Sequence, residues 1–168
     1  MTPWNSTVIE LDTPQWEQAV ALKRTRAFAM LEHDGLTLQE IKQKYDGYHQ
    51  EQGIAFHDQK LREEVMGGHL LGWWQGEALL AYASVYQSEL LGYKSRSLYI
   101  VKDICVAPTV QPAQCDALLG SLLARAQEAK AWRVQVDCNP ILYASAAASG
   151  GTSVKQCFQW QMQDDAPD

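Results

Sequence analysis

Hydrophobic and polar residues change period several times along the chain, and each change marks an element. "TVIELDT" (residues 7–13) alternates as a strand does, and Thr13 and Pro14 then supply an N-cap and a first-turn proline for a helix running through about Leu31. "LTLQEI" carries a capping box: Thr37 accepts from the Glu40 amide while Glu40 reaches back, and Leu36 and Ile41 stand as a hydrophobic staple. The helix that follows puts Ile41, Tyr45 and Tyr48 on one face. "HDQKLREEVMGG" reads as a short helix from Asp58 that stops at the Gly67-Gly68 pair.

The period then shortens. "HLLGWW", the break Gln75-Gly76 and "EALLAYASVY" predict a β-hairpin whose tight turn uses glycine for positive φ, and "SLYIVKDICVA" adds a third strand to an antiparallel meander. From Cys115 the helical spacing returns, with Cys115, Leu118, Leu119, Leu122, Leu123 and Ala126 on one stripe. "WRVQVDC" alternates again, so Tyr99 to Cys138 is strand, helix, strand, which favours a parallel pair with a right-handed crossover. Asn139 and Pro140 cap a short helix, "ILYASAAAS", that ends at Gly150, and "VKQCFQWQM" closes with one more strand.

Composition narrows the partners. The 168 residues are enough for one core, read as a single domain over residues 1–163 with a frayed tail at 164–168. Twenty acidic against 14 basic residues give a net charge of −6, which removes the attraction that drives general nucleic-acid binding. No apolar run is long enough to span a bilayer and "MTPWNSTVIELD" lacks a signal core, so the expectation is a cytoplasmic protein without membrane contact.

Individual residues exclude more chemistry than they suggest. Cys105, Cys115, Cys138 and Cys157 contain no C-x-x-C and read as buried thiols; no metal is expected. His33, His49, His57 and His69 show no ligand spacing and read as surface or packing residues. No G-x-S-x-G elbow is present. The Trp73-Trp74 pair admits two readings: one indole exposed on a half-buried strand, as a homodimer or protein-partner surface, or both indoles inside a two-layer core.

The order β-α-α, antiparallel meander, βαβ unit, helix and terminal strand resembles the GNAT superfamily of N-acetyltransferases over nearly the whole chain. The central motif carries the likeness: Val106, Pro108, Gln111 and the Leu118-Leu119 pair match the family pattern at the right spacing, and Asp103 stands where many members carry an acidic residue. The resemblance implies an α/β (α+β) fold with a mixed, mostly antiparallel sheet, a splayed parallel pair and helices on both faces. It implies acetyl transfer from acetyl-CoA to an amine of a small molecule or peptide.

Site residues follow from the same likeness. Backbone groups near Ile104, Cys105 and Val106 would pair with pantetheine amides. The turn Gln111, Pro112, Ala113, Gln114, Cys115 and Asp116 would face the pyrophosphate at a helix N-terminus, with Asn139 near the cofactor from the far strand. Asp103 is the implied base and Tyr143 the implied acid. An ion-paired strand carboxylate and a packing aromatic account for the same two residues without catalysis. Glu32, His33, Asp34, Tyr45, Tyr48 and His49 form either an acceptor rim or a solvated loop with a core stripe.

Three positions depart from the family. Pro112, Gln114 and Asp116 replace its glycines; Pro112 has no N–H, and Asp116 puts a carboxylate where a diphosphate would lie. Two unit charges about 5 Å apart at an effective dielectric near 20 repel by about 3 kcal/mol, roughly a hundredfold in affinity. Asp116 also reads simply as a first-turn acid favoured by the helix dipole. Further on, the family's tyrosine position falls on Ala146, and Gly151 replaces an aromatic. These losses raise the alternative of a catalytically inactive GNAT-fold binding or regulatory module that no longer holds coenzyme A.

Overall fold

The chain is described by a computed structural model over residues 4–33, 37, 50–89, 96–136 and 140–151. The helix expected over residues 37–48, the terminal strand "VKQCFQWQM" and the acidic tail lie outside the described residues.

Strand β1 (Asn5–Ile9) leads into helix α1 (Pro14–His33) through the cap seen in the sequence. The Thr13 hydroxyl accepts the Trp16 amide at 3.2 Å, and the Thr13 carbonyl accepts the Glu17 amide at 3.1 Å. Helix α2 (Gln50–Glu64) starts at Gln50 and not at Asp58. Asp58 is no cap: its carboxylate accepts the Trp16 indole N–H at 2.5 Å and Arg62 Nε at 2.7 Å. Burial pushes the Asp58 carboxyl up, but those bonds from Arg62 and Trp16 outweigh it and hold the group below the ordinary carboxylate value. Lys23 of α1 pairs with Glu64, and Arg62 also pairs with Asp12 just before α1, so the C-terminal part of α2 is tied to α1 and its approach.

The hairpin follows as β2 (His69–Gln75) and β3 (Ala78–Glu89), with Gln75 opposite Ala78. The turn is therefore Gly76-Glu77, one residue later than the sequence suggested, and Gly76 takes φ 61°. Strand β4 (Ser97–Val106) is followed by a 3-10 turn (Pro112–Gln114), helix α3 (Cys115–Glu128) and strand β5 (Arg133–Val136). A second 3-10 turn (Pro140–Leu142) opens helix α4 (Tyr143–Ala148). The strands lie in the order β1-β2-β3-β4-β5, antiparallel throughout except for the β4–β5 pair. This is the mixed, mostly antiparallel sheet expected from the sequence.

Alternation along the strands separates two apolar layers. Leu71, Trp73, Ala81, Ala83, Val85 and Val101 meet Leu118, Leu122 and Ala126 of α3. Leu70 and Tyr82 meet Trp16, Ala19 and Val20 of α1 and Leu61 of α2. Trp73 is wholly buried and donates Nε1–H to Ser121 Oγ at 3.0 Å; Trp74 packs toward the opposite layer, half-buried, with its Nε1–H on Thr7 Oγ1 at 2.9 Å. The two indoles thus lie in opposite layers, Trp73 within the core and Trp74 half-buried at its margin. Arg125 ties α3 to the rim strand β1: Nε donates to Ser6 Oγ at 2.6 Å and Nη2 to the Ser6 carbonyl at 2.8 Å.

Two histidines couple this fold to pH. Burial, and then Lys23 and Arg24, lower the His57 pKa; burial, and then Arg125, lower that of His69. The folded chain therefore binds fewer protons at these sites than the unfolded chain. Their contribution is complete above the unfolded value of about 6.5 and is lost as pH falls below it toward the depressed folded values. The melting temperature is expected to fall between pH 7.5 and 5.5. The double variant His57→Gln/His69→Gln should flatten that slope in thermal unfolding followed by circular dichroism, and an unchanged slope would refute the assignment.

Candidate active site

Strand β4 leaves its two neighbours at different heights. On the β5 side the pairs run from Leu98–Arg133 to Val101–Val136, whereas on the β3 side pairing continues to Ala81–Val106. Residues 102–106 thus extend past the last β5 rung among the described residues, with one backbone edge not matched to β5. Within that stretch Tyr82 faces Cys105 and Ser84 faces Lys102, so Asp103 and Ile104 together oppose Ala83. This is a β-bulge, which increases local twist and turns the strand away from a straight ladder. The side chain of Asp103 lies outside the described residues.

After Val106 the chain turns sharply onto α3. The Ala107 amide bonds the Leu80 carbonyl at 2.8 Å and the Val110 amide bonds the Ala107 carbonyl at 3.0 Å, with Val110 buried. Three of the next donors are used within the turn itself. The Gln111 amide donates to Gln114 Oε1 at 2.8 Å, the Gln114 amide to the Gln111 carbonyl at 2.9 Å, and the Cys115 amide to the Pro112 carbonyl. Pro112 has no amide hydrogen to offer. Gln111 and Gln114 thus form a side-chain clasp of the capping-box kind, at the spacing where a glycine would have left the amide open.

Asp116 sits in the first turn of α3, exposed, as the dipole favours. Its charge, after burial, raises the neighbouring Cys115 thiol. Cys115 is fully buried and approaches the Gln111 carbonyl through Sγ at 3.8 Å. Cys105 points into the opposite layer beside Leu22, and burial pushes its thiol up to about 11. Both are free thiols; Cys138 and Cys157 lie outside the described residues. At pH 8 a thiol of that pKa is about one part in a thousand thiolate, so iodoacetamide should label Cys105 at least about a hundredfold more slowly in the native than in the denatured chain. Peptide-level mass spectrometry reads this directly, and equal rates would overturn it.

The remaining candidates are less complete. Tyr143 is the first residue of α4, its side chain outside the described set, and Asn139 is likewise outside it. Ala146 accepts the Gly151 amide at 2.9 Å beyond the left-handed Gly150 (φ 87°), so the family's usual tyrosine position closes the helix end. The proposed acceptor rim, Glu32, His33, Asp34, Tyr45, Tyr48 and His49, falls among residues whose side chains are not described. Among the described residues no group of side chains has the makings of a metal site. No helix among them is long and apolar enough to cross a membrane.

The fold as a whole recurs in solved structures. A transcriptional regulator from Bacillus halodurans superposes with TM-score 0.61 at 13% identity, covering 94% of this chain and 100% of its own. A protein of Clostridium acetobutylicum described as a predicted acetyltransferase and solved with acetyl-CoA gives 0.53 at 10% identity, covering 95% and 96%. Glucosamine-6-phosphate N-acetyltransferase from Arabidopsis thaliana gives 0.51 at 11% identity, covering 96% and 100%. The chain has the GNAT acetyltransferase fold. By sequence, no family model and no curated protein matches it. The β4 bulge and the turn at 107–114, with its Gln111–Gln114 clasp, lie on the segment whose residues resemble the family's central motif.

Proposed function

We propose that this protein is an N-acetyltransferase that moves an acetyl group from acetyl-CoA to a primary amine of a small molecule or peptide. The observation that carries the reading is the β4 edge at residues 102–106, beside a bulge and past the last β5 rung among the described residues, leading to the α3 N-terminus. Such an edge fits the pantetheine arm, because an extended chain of amides can add to it as a further strand would. The turn fits less well. The Gln111 amide is bonded by Gln114, and Pro112 cannot donate, so a pyrophosphate that uses the Gln111 amide would have to displace the Gln114 carboxamide.

In this reading the chain's residues divide the work. Asp103 in the bulge takes a proton from the incoming ammonium, directly or through water. A β4 amide at Ile104 or Val106 donates to the oxyanion that forms when the amine nitrogen bonds the thioester carbon. The carbon–sulfur bond then breaks as Tyr143 protonates the thiolate, and the second proton, shed by the attached nitrogen as it becomes an amide, returns through water to the Tyr143 phenolate. The backbone of Cys105 and Val106 holds the arm in line, while its thiol, turned to the other layer, takes no part in the transfer.

One observation favours a second reading, a GNAT-fold binding module without coenzyme A: the clasp satisfies a donor that a bound phosphate would need. A thermal-shift titration with acetyl-CoA and coenzyme A separates the two. A ligand at a hundred times its dissociation constant stabilises the native state by about 2.7 kcal/mol, so the enzyme shows a saturable rise in melting temperature. A flat response at millimolar ligand sinks the enzyme reading.

A further inference from the structure

The β1 end of the sheet carries a feature that acetyl transfer does not use. Where β1 runs into α1, the chain meets the turn that follows α2, and a hollow of about 310 Å³ opens between them. Buried Trp16 and Leu70 form its floor, while Val8, Leu11 and Met66 line it at 44, 51 and 79% exposure. Three of the six exposed large apolar side chains among the described residues therefore gather at one hollow. A single exposed leucine is ordinary; a cluster around a concavity marks a place for another molecule.

Both turns that present these side chains are held in place. The Thr13 hydroxyl donates to the Glu10 carbonyl at 2.8 Å, and Asp12 takes the left-handed φ of 60°. Across the hollow the Met66 amide bonds the Glu63 carbonyl at 3.3 Å and the Gly68 amide the Val65 carbonyl at 3.0 Å. Less ordering entropy is lost when a ligand meets such a surface.

Charge narrows the occupant. Arg62 lines the hollow and is shared by two carboxylates, Asp58 and Asp12, so this trio carries one net negative charge. Asp12 bonds Arg62 through one oxygen only, and its side chain is largely exposed. Glu10, also on the hollow, has no ion pair among the described residues and adds a second negative charge. His69 does not offset them, because burial lowers its pKa and leaves it neutral at pH 7.

We infer that this hollow is a docking site for a segment of a partner protein that inserts an apolar side chain and sets a lysine or arginine beside Glu10 and Asp12. An apolar anchor with a polar rim is the usual core of such a contact. A second copy of the chain fits poorly, since a two-fold contact would bring the same acids face to face. Nucleic acid and anionic lipid are repelled. A free amine small enough for the hollow would leave Leu11 and Met66 in water, whereas a chain laid across it covers them. In the sheet β2 and β3 separate β1 from β4, so the site is independent of the acetyl-transfer reading.

Fluorescence anisotropy of a rhodamine-labelled hexapeptide of alternating leucine and lysine, with the full chain in 100 mM sodium chloride, tests this. Saturable binding is expected, at least tenfold weaker when glutamate replaces the peptide's lysines or serine its leucines. Leu11→Ser/Met66→Ser removes apolar surface and keeps every charge. Glu10→Gln/Asp12→Asn removes two charges and keeps the turn, because asparagine also tolerates the left-handed region. Each double variant should bind at least about fivefold more weakly, and Glu77→Lys, on the exposed β2–β3 turn, should bind as the native chain does. Circular dichroism establishes that each variant is folded. No saturable binding, undiminished binding in either double variant, an equal loss in Glu77→Lys, or displacement of the peptide by an equal concentration of hexylammonium chloride each overturns the proposal.

Discussion

Replacing Trp73 by alanine should lower the stability of the protein by about 3–5 kcal/mol, enough to leave a marginal domain largely unfolded at 37 °C. The side chain is fully buried between β2 and α3, in the layer with Leu71, Ala81, Val85, Leu118 and Leu122. Truncation removes its transfer energy and leaves a void whose walls belong to both a strand and a helix, so neither can collapse into it alone. It also strands Ser121 Oγ, which now accepts the indole N–H at 3.0 Å. Trp73→Phe separates the terms, since it keeps most of the volume and loses the hydrogen bond. Urea unfolding followed by circular dichroism should give a large loss for alanine and about 1–2 kcal/mol for phenylalanine; similar small losses in both would show that the layer is not packed on this residue.

The second large effect concerns ligand affinity. The double variant Gln114→Gly/Asp116→Gly is expected to bind coenzyme A about a hundredfold more tightly than the native chain, measured by isothermal titration calorimetry. Removing the carboxamide opens the Gln111 amide, and removing the carboxylate abolishes a repulsion estimated above at about 3 kcal/mol before screening. The single variants divide the gain: Asp116→Gly should lose its advantage at high salt, whereas Gln114→Gly should not, because a freed hydrogen-bond donor is not a long-range charge. If the double variant binds no better than the native chain, the turn does not face a phosphate and the proposed chemistry falls with it.

Much of the frame was legible because its signals are local. Thr13-Pro14 announced α1, the stripe from Cys115 to Ala126 announced α3, and the glycine at 76 announced a hairpin to within one residue. The start of α2 was not legible, because Asp58 looks like a cap in sequence and only the folded chain brings Trp16 and Arg62 to its carboxylate. The β4 bulge had no signal either, since "YIVKDICV" alternates without a glycine and the extra residue is set by pairing with β3. The clasp is an intermediate case. A glutamine three residues after another, flanking a proline, is a capping-box pattern, but only the folded turn shows the Gln114 side chain closing on the Gln111 amide.

The β4–β5 pair has a consequence for the order in which the molecule assembles. Gln75 and Ala78 meet across a two-residue turn, whereas Leu98 meets Arg133 only after all of α3 has been laid down between them. Closing the short loop costs little chain entropy and closing the long crossover costs more, so the meander is the earlier nucleus and the parallel rungs are the later step. The wall on which the proposed substrates would rest is thus a late product of folding, and amide exchange at Val134 and Val136 is the place where its reopening would register.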